Sequence, residues 1–305
     1  MILTVTLNAA LDVTYHVDQV RPDASHRVRE VHERAGGKGI NVARVLHCQG
    51  REVTCLGLVG GWTGARIAAD LDNAGVASAM SSVAGESRRT VSVVSAATGG
   101  STLFNEPGPV VQLPEWQGFL SVYTRFLPRA SVVVVSGSLP PGVPEDAYAE
   151  LARLAHGSGG KVIVDADGRV LARSLEGAPD VVKPNSAELR AATGVEAADE
   201  AMQALLDSGA GSVVATFGAE GIRALTPTGA WSARLEPPVP GVNPTGAGDA
   251  VAAALAAGLE DGRDWPGTLT DAVAWSAAAV AAPFAGDLDA GVLASVRSSV
   301  RVEPA

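Results

Sequence analysis

Residues 243–250 read Asn-Pro-Thr-Gly-Ala-Gly-Asp-Ala and run on through small residues to Leu259. Glycines ahead of a stretch of helix formers mark a turn that opens into a helix. Gly246 and Gly248 allow the backbone to approach a ligand closely. The unpaired N–H groups of the helix's first turn, aided by the helix dipole, make Gly246-Ala247-Gly248 an anion hole. Asp249 is the odd residue there. Its carboxylate favours the helix start, yet it would repel a bound anion unless it had a task. Taking a proton from an attacking hydroxyl is such a task. A glycine-rich helix cap without a ligand is the other reading of this segment taken alone.

Other segments place polar groups beside flexible backbone. Ala35-Gly36-Gly37-Lys38-Gly39-Ile40-Asn41 offers a point charge at Lys38 and a two-sided amide at Asn41. It lacks the GxxxxGK[ST] spacing of a Walker loop and is not GxGxxG. Thr6 to Asp12 closes the first strand pattern, where Asn8 and Asp12 are either acceptors for hydroxyls or part of an Asx turn. Ser136-Gly137-Ser138 ends another strand pattern on the same rim, as pocket wall or plain turn. Gly85-Glu86-Ser87-Arg88 carries an arginine able to grip a phosphate. In Lys183-Pro184-Asn185-Ser186-Ala187-Glu188, Asn185 and Glu188 share a helical face. They suit Mg²⁺ held through water, or equally an N-cap and capping box. Thr216-Phe217-Gly218-Ala219-Glu220-Gly221 shapes either a groove or a hairpin turn. The five histidines show no metal-ligand spacing in the sequence.

The elements that must hold these residues follow from hydrophobic periodicity. Apolar runs at 2–7, 53–59, 132–135, 161–165, 181–183 and 212–216 read as strands covered on both faces. Helical patterns at 38–48, 63–73, 114–126, 145–155 and 199–208 lie between them. This alternation predicts a parallel sheet in a layered α/β fold. Segments 13–35 and 88–105 alternate apolar and polar residues instead, which predicts half-exposed antiparallel strands. We read them as one small sheet over the mouth of a single domain spanning 1–305: a lid, or else a decorative edge hairpin. Its exposed edges and apolar faces make it the expected surface of a homodimer.

Composition narrows the partners. The chain has 305 residues, a net charge of −10 and only three lysines (Lys38, Lys161, Lys183). Nucleic acid and anionic membranes are therefore not expected partners. Cys48 and Cys55 form no CxxC pair and are expected to be free, buried thiols in a reducing compartment. No signal-peptide pattern opens the chain. Apolar stretches at 250–259 and 272–285 are shorter than the ~20 residues of a membrane span. A cytoplasmic location is expected.

Each motif is weak alone, but their order along the chain is specific. TLNAALD, AGGKGINVARVL, GESR, VSGSLPPGVP, VKPNSAEL, FGAEG and NPTGAGDA together span residues 4–250. The chain resembles the ribokinase-like, PfkB-type carbohydrate kinases, and within them the 1-phosphofructokinase and tagatose-6-phosphate kinase branch. The resemblance implies a Rossmann-like three-layer αβα sandwich with a small β-sheet lid, usually dimeric. It implies ATP and Mg²⁺, with Asp249 as catalytic base and Gly246, Ala247 and Gly248 around the transferring phosphoryl group. Asp12 and Asn41 would hold sugar hydroxyls, with Gly37 and Ser138 close by. Lys38 and Arg88 would meet the sugar phosphate. Lys183 would lie near the nucleotide phosphates, and Asn185 and Glu188 would organise the metal. Thr216 and Gly218, Ala219, Glu220 and Gly221 would line the nucleotide groove. Two departures stand out. Ala9 replaces the proline usual in this branch, and Asn243-Pro244 replaces the Asp-Thr of ribokinases, as in the phosphosugar members. The implied reaction is phosphorylation of fructose 1-phosphate to fructose 1,6-bisphosphate, with tagatose 6-phosphate or fructose 6-phosphate as alternative acceptors. A non-catalytic sugar-phosphate sensor would bind without forming ADP. A nicotinamide oxidoreductase would need the missing GxGxxG.

Overall fold

The computed structural model describes residues 1–239 and 245–305; Asn243 and Pro244 lie outside the described residues. The first half contains β1 (Ile2–Thr6), β2 (Ala10–Val17), β3 (Glu30–Gly36), α1 (Lys38–Cys48), β4 (Val53–Val59) and α2 (Gly61–Asn73). Then follow β5 (Ser78–Ser82), β6 (Arg88–Ser95), β7 (Ser101–Asn105), α3 (Leu113–Phe126), β8 (Val132–Ser136) and α4 (Ala147–Gly157). The second half contains β9 (Lys161–Asp165), α5 (Gly168–Ser174), β10 (Val181–Val182), α6 (Ser186–Thr193), α7 (Ala198–Asp207) and β11 (Val213–Thr216). It closes with β12 (Ile222–Thr226), β13 (Gly229–Leu235), α8 (Ala247–Asp261), α9 (Trp265–Ala281), α10 (Ala290–Val296) and β14 (Val300–Pro304).

Among the described residues, ten strands form the main sheet in the order β14-β13-β12-β11-β10-β9-β8-β1-β4-β5. In that order the strands from β11 to β5 are parallel, and β12 to β14 add an antiparallel edge. From β1 the chain builds outward first to β4 and β5, then in the other direction from β8. That reversal is a topological switch point, and the crevice beyond the carboxyl ends of β1 and β8 is where such sheets take ligands. Alternate side chains feed two cores. Ile2, Val132 and Val134 join the layer of α1 and α8; Leu3, Val5, Val133 and Val135 join the layer of Phe119, Tyr123 and Tyr148. Val132 to Val135 are wholly buried, each worth about 1.5 kcal/mol or more of hydrophobic stabilisation. α8 is buried from Asp249 to Gly258 because it packs between α1 and α9. Its run of alanines permits that close approach.

The six predicted core strands are all present. β5 and the β12–β14 edge were not visible in the sequence. Ser78-Ala-Met-Ser-Ser has no apolar run, and the edge strands interleave arginine, serine and threonine with their apolar residues. The small sheet has the order β3-β2-β6-β7. Its outer pairs are antiparallel as predicted, but β2 and β6 run parallel. Each leaves the carboxyl side of the main sheet, after β1 and β5, and so each runs in the same direction. Residues 18–29, read as part of an extended strand, form none. Both cysteines are free, but Cys48 is exposed at the end of α1 and only Cys55 is buried. No helix among the described residues is long and apolar enough to cross a membrane.

Candidate active site

α8 starts at the carboxyl edge of the sheet. Gly246 is its N-cap with φ 91°, a left-handed conformation that disfavours any side chain. A Cβ there would also press on Ala285, at 3.0 Å. Gly37, the N-cap of α1, has φ 108°, and its missing side chain leaves room for Thr6 of β1. Two helix N-termini are thus set against the same sheet edge by glycine.

Asp249, in the first turn of α8, is 6% exposed. Its Oδ2 accepts a hydrogen bond of 2.8 Å from Nδ2 of Asn41, in the first turn of α1. Burial pushes the Asp249 carboxyl up to about 6, reinforced by the negative charge of Asp165 and opposed by Asn41, Lys38 and Lys183. Such a group is ionised at neutral pH and still basic enough to take a proton.

Asp165 ends β9 and is 1% exposed. Its carboxylate lies between two ammonium groups, Lys38 Nζ at 2.9 Å and Lys183 Nζ at 3.1 Å. Burial opposes its charge, but the two lysines hold its pKa below the usual carboxylate range. Lys38 also reaches Glu188 Oε1 at 3.1 Å. Burial opposes the Lys38 charge as well; Asp165 and Glu188 outweigh it and raise its pKa. Lys183 is 3% exposed, and its Nζ would stand 3.4 Å from a Cβ on Gly248, so its charge lies beside the α8 N-terminus. Asp165 was missed by sequence reasoning. The signal was available, because a carboxylate at the carboxyl end of a buried parallel strand falls on the ligand rim.

Asn185 and Glu188 form a full capping box on α6. Asn185 Oδ1 accepts from the Ala187 and Glu188 amides at 2.9 Å each, and Glu188 Oε2 accepts from the Asn185 amide at 2.8 Å. The Glu188 side chain is thereby fixed facing Lys38. Asp165 and Glu188 thus share one cation, the Lys38 ammonium. The two lysines close off Asp165, so Glu188 is the hard-oxygen donor of the pair that fits a divalent ion of the magnesium class through water.

Two cavities flank this cluster. One, of about 340 Å³, is lined by Asn8, Gly37, Lys38, Arg88, Ser138 and Asp167 among others. Asn8 donates to Ser138 Oγ and to the Pro107 carbonyl, both at 3.1 Å, tying the carboxyl ends of β1 and β8 to the segment after β7. Arg88 is held by the Asn8 carbonyl at 3.1 Å. Asp12 lies outside this lining, two residues along β2 from Ala10, the ladder partner of Arg88, and against Gly36, whose missing side chain makes the space. Burial raises the Asp12 carboxyl to about 6 against the pull of Arg88, Thr90 and Arg34. The other cavity, of about 400 Å³, is lined by Thr216, Gly218, Ala219, Gly221, Ala247 and Gly248 on its polar side. Val251, Val273, Ala277 and Val280 wall its apolar side, and the last three come from α9, where no sequence signal distinguished them from core. Glu220 is outside that lining. Ala247 and Gly248 of the α8 turn thus line one cavity, and Gly37 and Lys38 the other, while Asp249 and Asn41 lie in neither lining.

A family model described as pfkB family carbohydrate kinase matches residues 5–288. Among solved structures, phosphofructokinase-2 from Escherichia coli is 28% identical, covering 97% of this chain and 98% of that one; it superposes with a TM-score of 0.92 in its potassium complex and 0.90 in its fructose-6-phosphate complex. A possible 1-phosphofructokinase from Thermotoga maritima is 27% identical over 100% of this chain and 99% of that one, with a TM-score of 0.87. Ribokinase from Arabidopsis thaliana, solved with ribose and ATP, is 19% identical over 96% and 97% with a TM-score of 0.78, a likeness of fold alone. The main sheet, the small second sheet and the ordered glycine motifs agree with that match, and the chain belongs to the pfkB family of carbohydrate kinases.

Proposed function

We propose that the protein transfers the γ-phosphoryl group of ATP to fructose 1-phosphate, giving fructose 1,6-bisphosphate and ADP. The observation that carries this reading is the buried Asp249, raised to about 6, in the first turn of a glycine-capped helix whose Ala247 and Gly248 line one cavity, and bonded to Asn41 of the helix whose Gly37 and Lys38 line the other. The sugar phosphate would occupy the cavity of Arg88 and Ser138, and ATP the groove of Thr216 and Gly218 to Gly221. Asp12 and Asn41 would hold sugar hydroxyls beside the Gly37 backbone.

The acceptor C6 hydroxyl gives its proton to Asp249 as its oxygen bonds to the γ-phosphorus. The bond from that phosphorus to the β–γ bridging oxygen breaks, and ADP leaves. The transition state of such a transfer is loose, so positioning and charge stabilisation carry most of the rate. The N–H groups of Gly246, Ala247 and Gly248 would stabilise charge on the equatorial oxygens. Lys183, beside Gly248, would neutralise the nucleotide phosphates. Mg²⁺ supplies charge neutralisation on the phosphates when bound. Glu188 would hold it through water, with Asn185 setting the orientation of Glu188 through the capping box, since the Asn185 oxygen is already committed. Lys38 would reach the sugar phosphate only by leaving Asp165 and Glu188.

The small sheet would close over the sugar as the lid of a single kinase domain. Val31 and Phe104 share one face of that sheet and are 52% and 59% exposed. An apolar surface of this kind calls for cover, which supports a homodimer through the lid. The work would be cytoplasmic, where ATP is available.

The fructose-6-phosphate complex of the Escherichia coli relative favours fructose 6-phosphate as a second reading; tagatose 6-phosphate is a third. All place a phosphate away from the attacked hydroxyl. Phosphorus NMR of the products formed from each acceptor with MgATP distinguishes them. Fructose 1,6-bisphosphate made fastest from fructose 1-phosphate supports the first reading; preferential use of another acceptor replaces it.

A further inference from the structure

We propose that His16, Glu30 and His32 form a binding site for a divalent transition-metal ion of the zinc class on the small sheet. The site is distinct from the Asp165–Glu188 cluster. In the antiparallel ladder of β2 and β3, His16 stands opposite Glu30 and Thr14 opposite His32. Cross-strand partners point to the same side of a sheet, and so do residues two apart. The three side chains therefore gather on one side, on two rungs separated by the Tyr15–Val31 pair, although they are up to 16 positions apart in the sequence.

One donor atom from each residue lies within 4.8 Å of the other two. Zinc-to-ligand distances of about 2.0–2.2 Å place donors roughly 3–4 Å apart. Glu30 and His32 already meet this spacing, with Oε1 and Nε2 at 3.0 Å. The His16 ring meets the His32 ring edge-on, with centroids 5.6 Å apart. A small rotation of two partly exposed side chains completes the set. Two imidazoles and one carboxylate suit zinc, nickel or copper and not magnesium, which takes oxygen donors. Among the described residues no other group of His, Cys, Asp and Glu side chains brings three donors this close.

The surroundings fix the second histidine. The His32 ring packs on Phe284, with centroids 5.3 Å apart. Phe284 belongs to the segment between α9 and α10, which also binds β3 through Arg34 and Asp287 at 2.7 Å. The same segment walls Gly246 through Ala285. A metal here would clamp β2 to β3 where the small sheet meets the segment that backs the anion hole. Three protein donors leave at least one position for water or an added ligand.

The test uses the whole protein, freed of metal with a chelator and held in excess Mg²⁺. Zn²⁺ is titrated by calorimetry and Co²⁺ by its visible ligand-field absorption, in the wild type and in His16→Gln, His32→Gln and Glu188→Gln. The expected result is one equivalent per chain, with tetrahedral-type cobalt bands. Each histidine variant should weaken binding by at least about tenfold, while Glu188→Gln keeps it. Hydrogen exchange should slow in β2 and β3 of the wild type on adding Zn²⁺ and stay unchanged in His32→Gln. Both histidines are only partly exposed, and circular dichroism verifies that the variants fold. Equal Zn²⁺ affinity in the wild type and the folded histidine variants would overturn the site, as would its loss in Glu188→Gln alone.

Discussion

Asn41 and Asp249 stand 208 positions apart in the chain, yet the Asn41 amide donates a 2.8 Å hydrogen bond to the Asp249 carboxylate. The first turns of α1 and α8 are thereby locked together at the sheet edge. The bond stabilises the ionised carboxylate, and burial disfavours it. The balance of the two sets the proton affinity of the group that the reaction needs.

Activity should therefore carry an acid limb near pH 6, falling about tenfold for each further pH unit as Asp249 becomes protonated. Asn41→Ala removes a contact that lowers this pKa, so its limb should move to higher pH. A pH–rate profile of both proteins checks this. An unmoved limb in Asn41→Ala would separate Asp249 from the titration.

Asp249→Asn should be more stable than the wild type. The folded carboxyl titrates at about 6, above its unfolded value of 3.8, so the folded state binds the proton more tightly. The wild type thus loses stability as pH rises through that window, and the amide variant does not. The gap at neutral pH should be on the order of 1–3 kcal/mol. Urea unfolding at pH 4 and pH 7.5 measures it; a gap that fails to widen with pH contradicts the buried-carboxylate account.

Asp165→Ala leaves Lys183, 3% exposed, without its counter-charge. Removing one partner of a buried ion pair costs about 3–5 kcal/mol. A loss below about 1 kcal/mol in urea unfolding would mean that water or another group reaches Lys183 readily.

Arg88→Ala should raise KM for the phosphosugar by about tenfold, the cost of losing a charged hydrogen bond, and leave KM for ATP nearly unchanged. Arg88 lines the Asn8–Ser138 cavity and not the Thr216–Gly221 groove. Equal effects on both constants would remove its assignment to the sugar side.

The sequence made the parallel strands legible because Val132 to Val135 and their neighbours are continuous apolar runs with one explanation, burial on both faces. It did not reveal β5, whose Ser-Ala-Met-Ser-Ser reads as loop and is a strand only because β4 offers an open edge. The glycine turns at Gly37 and Gly246 were legible through their local backbone demands. The place of Asp165 on the ligand rim was legible from its position at the end of a buried strand, but its pairing with Lys38 and Lys183 was not, since only the fold brings them together. The dual reading of Asn185 and Glu188 could not be divided by spacing, because a cap and a metal-organising pair use the same geometry. The histidines looked scattered until the β2–β3 register set His16 beside Glu30 and His32.

The central claim is that Asp249 is the base of a phosphoryl transfer to a phosphosugar. Its most direct test is coupled ADP release from MgATP and fructose 1-phosphate, comparing the wild type with folded Asp249→Ala. Robust turnover is expected in the wild type, and in the variant a loss of about 10²–10⁴-fold in kcat with binding of both substrates retained. Near-full turnover in Asp249→Ala would contradict that claim.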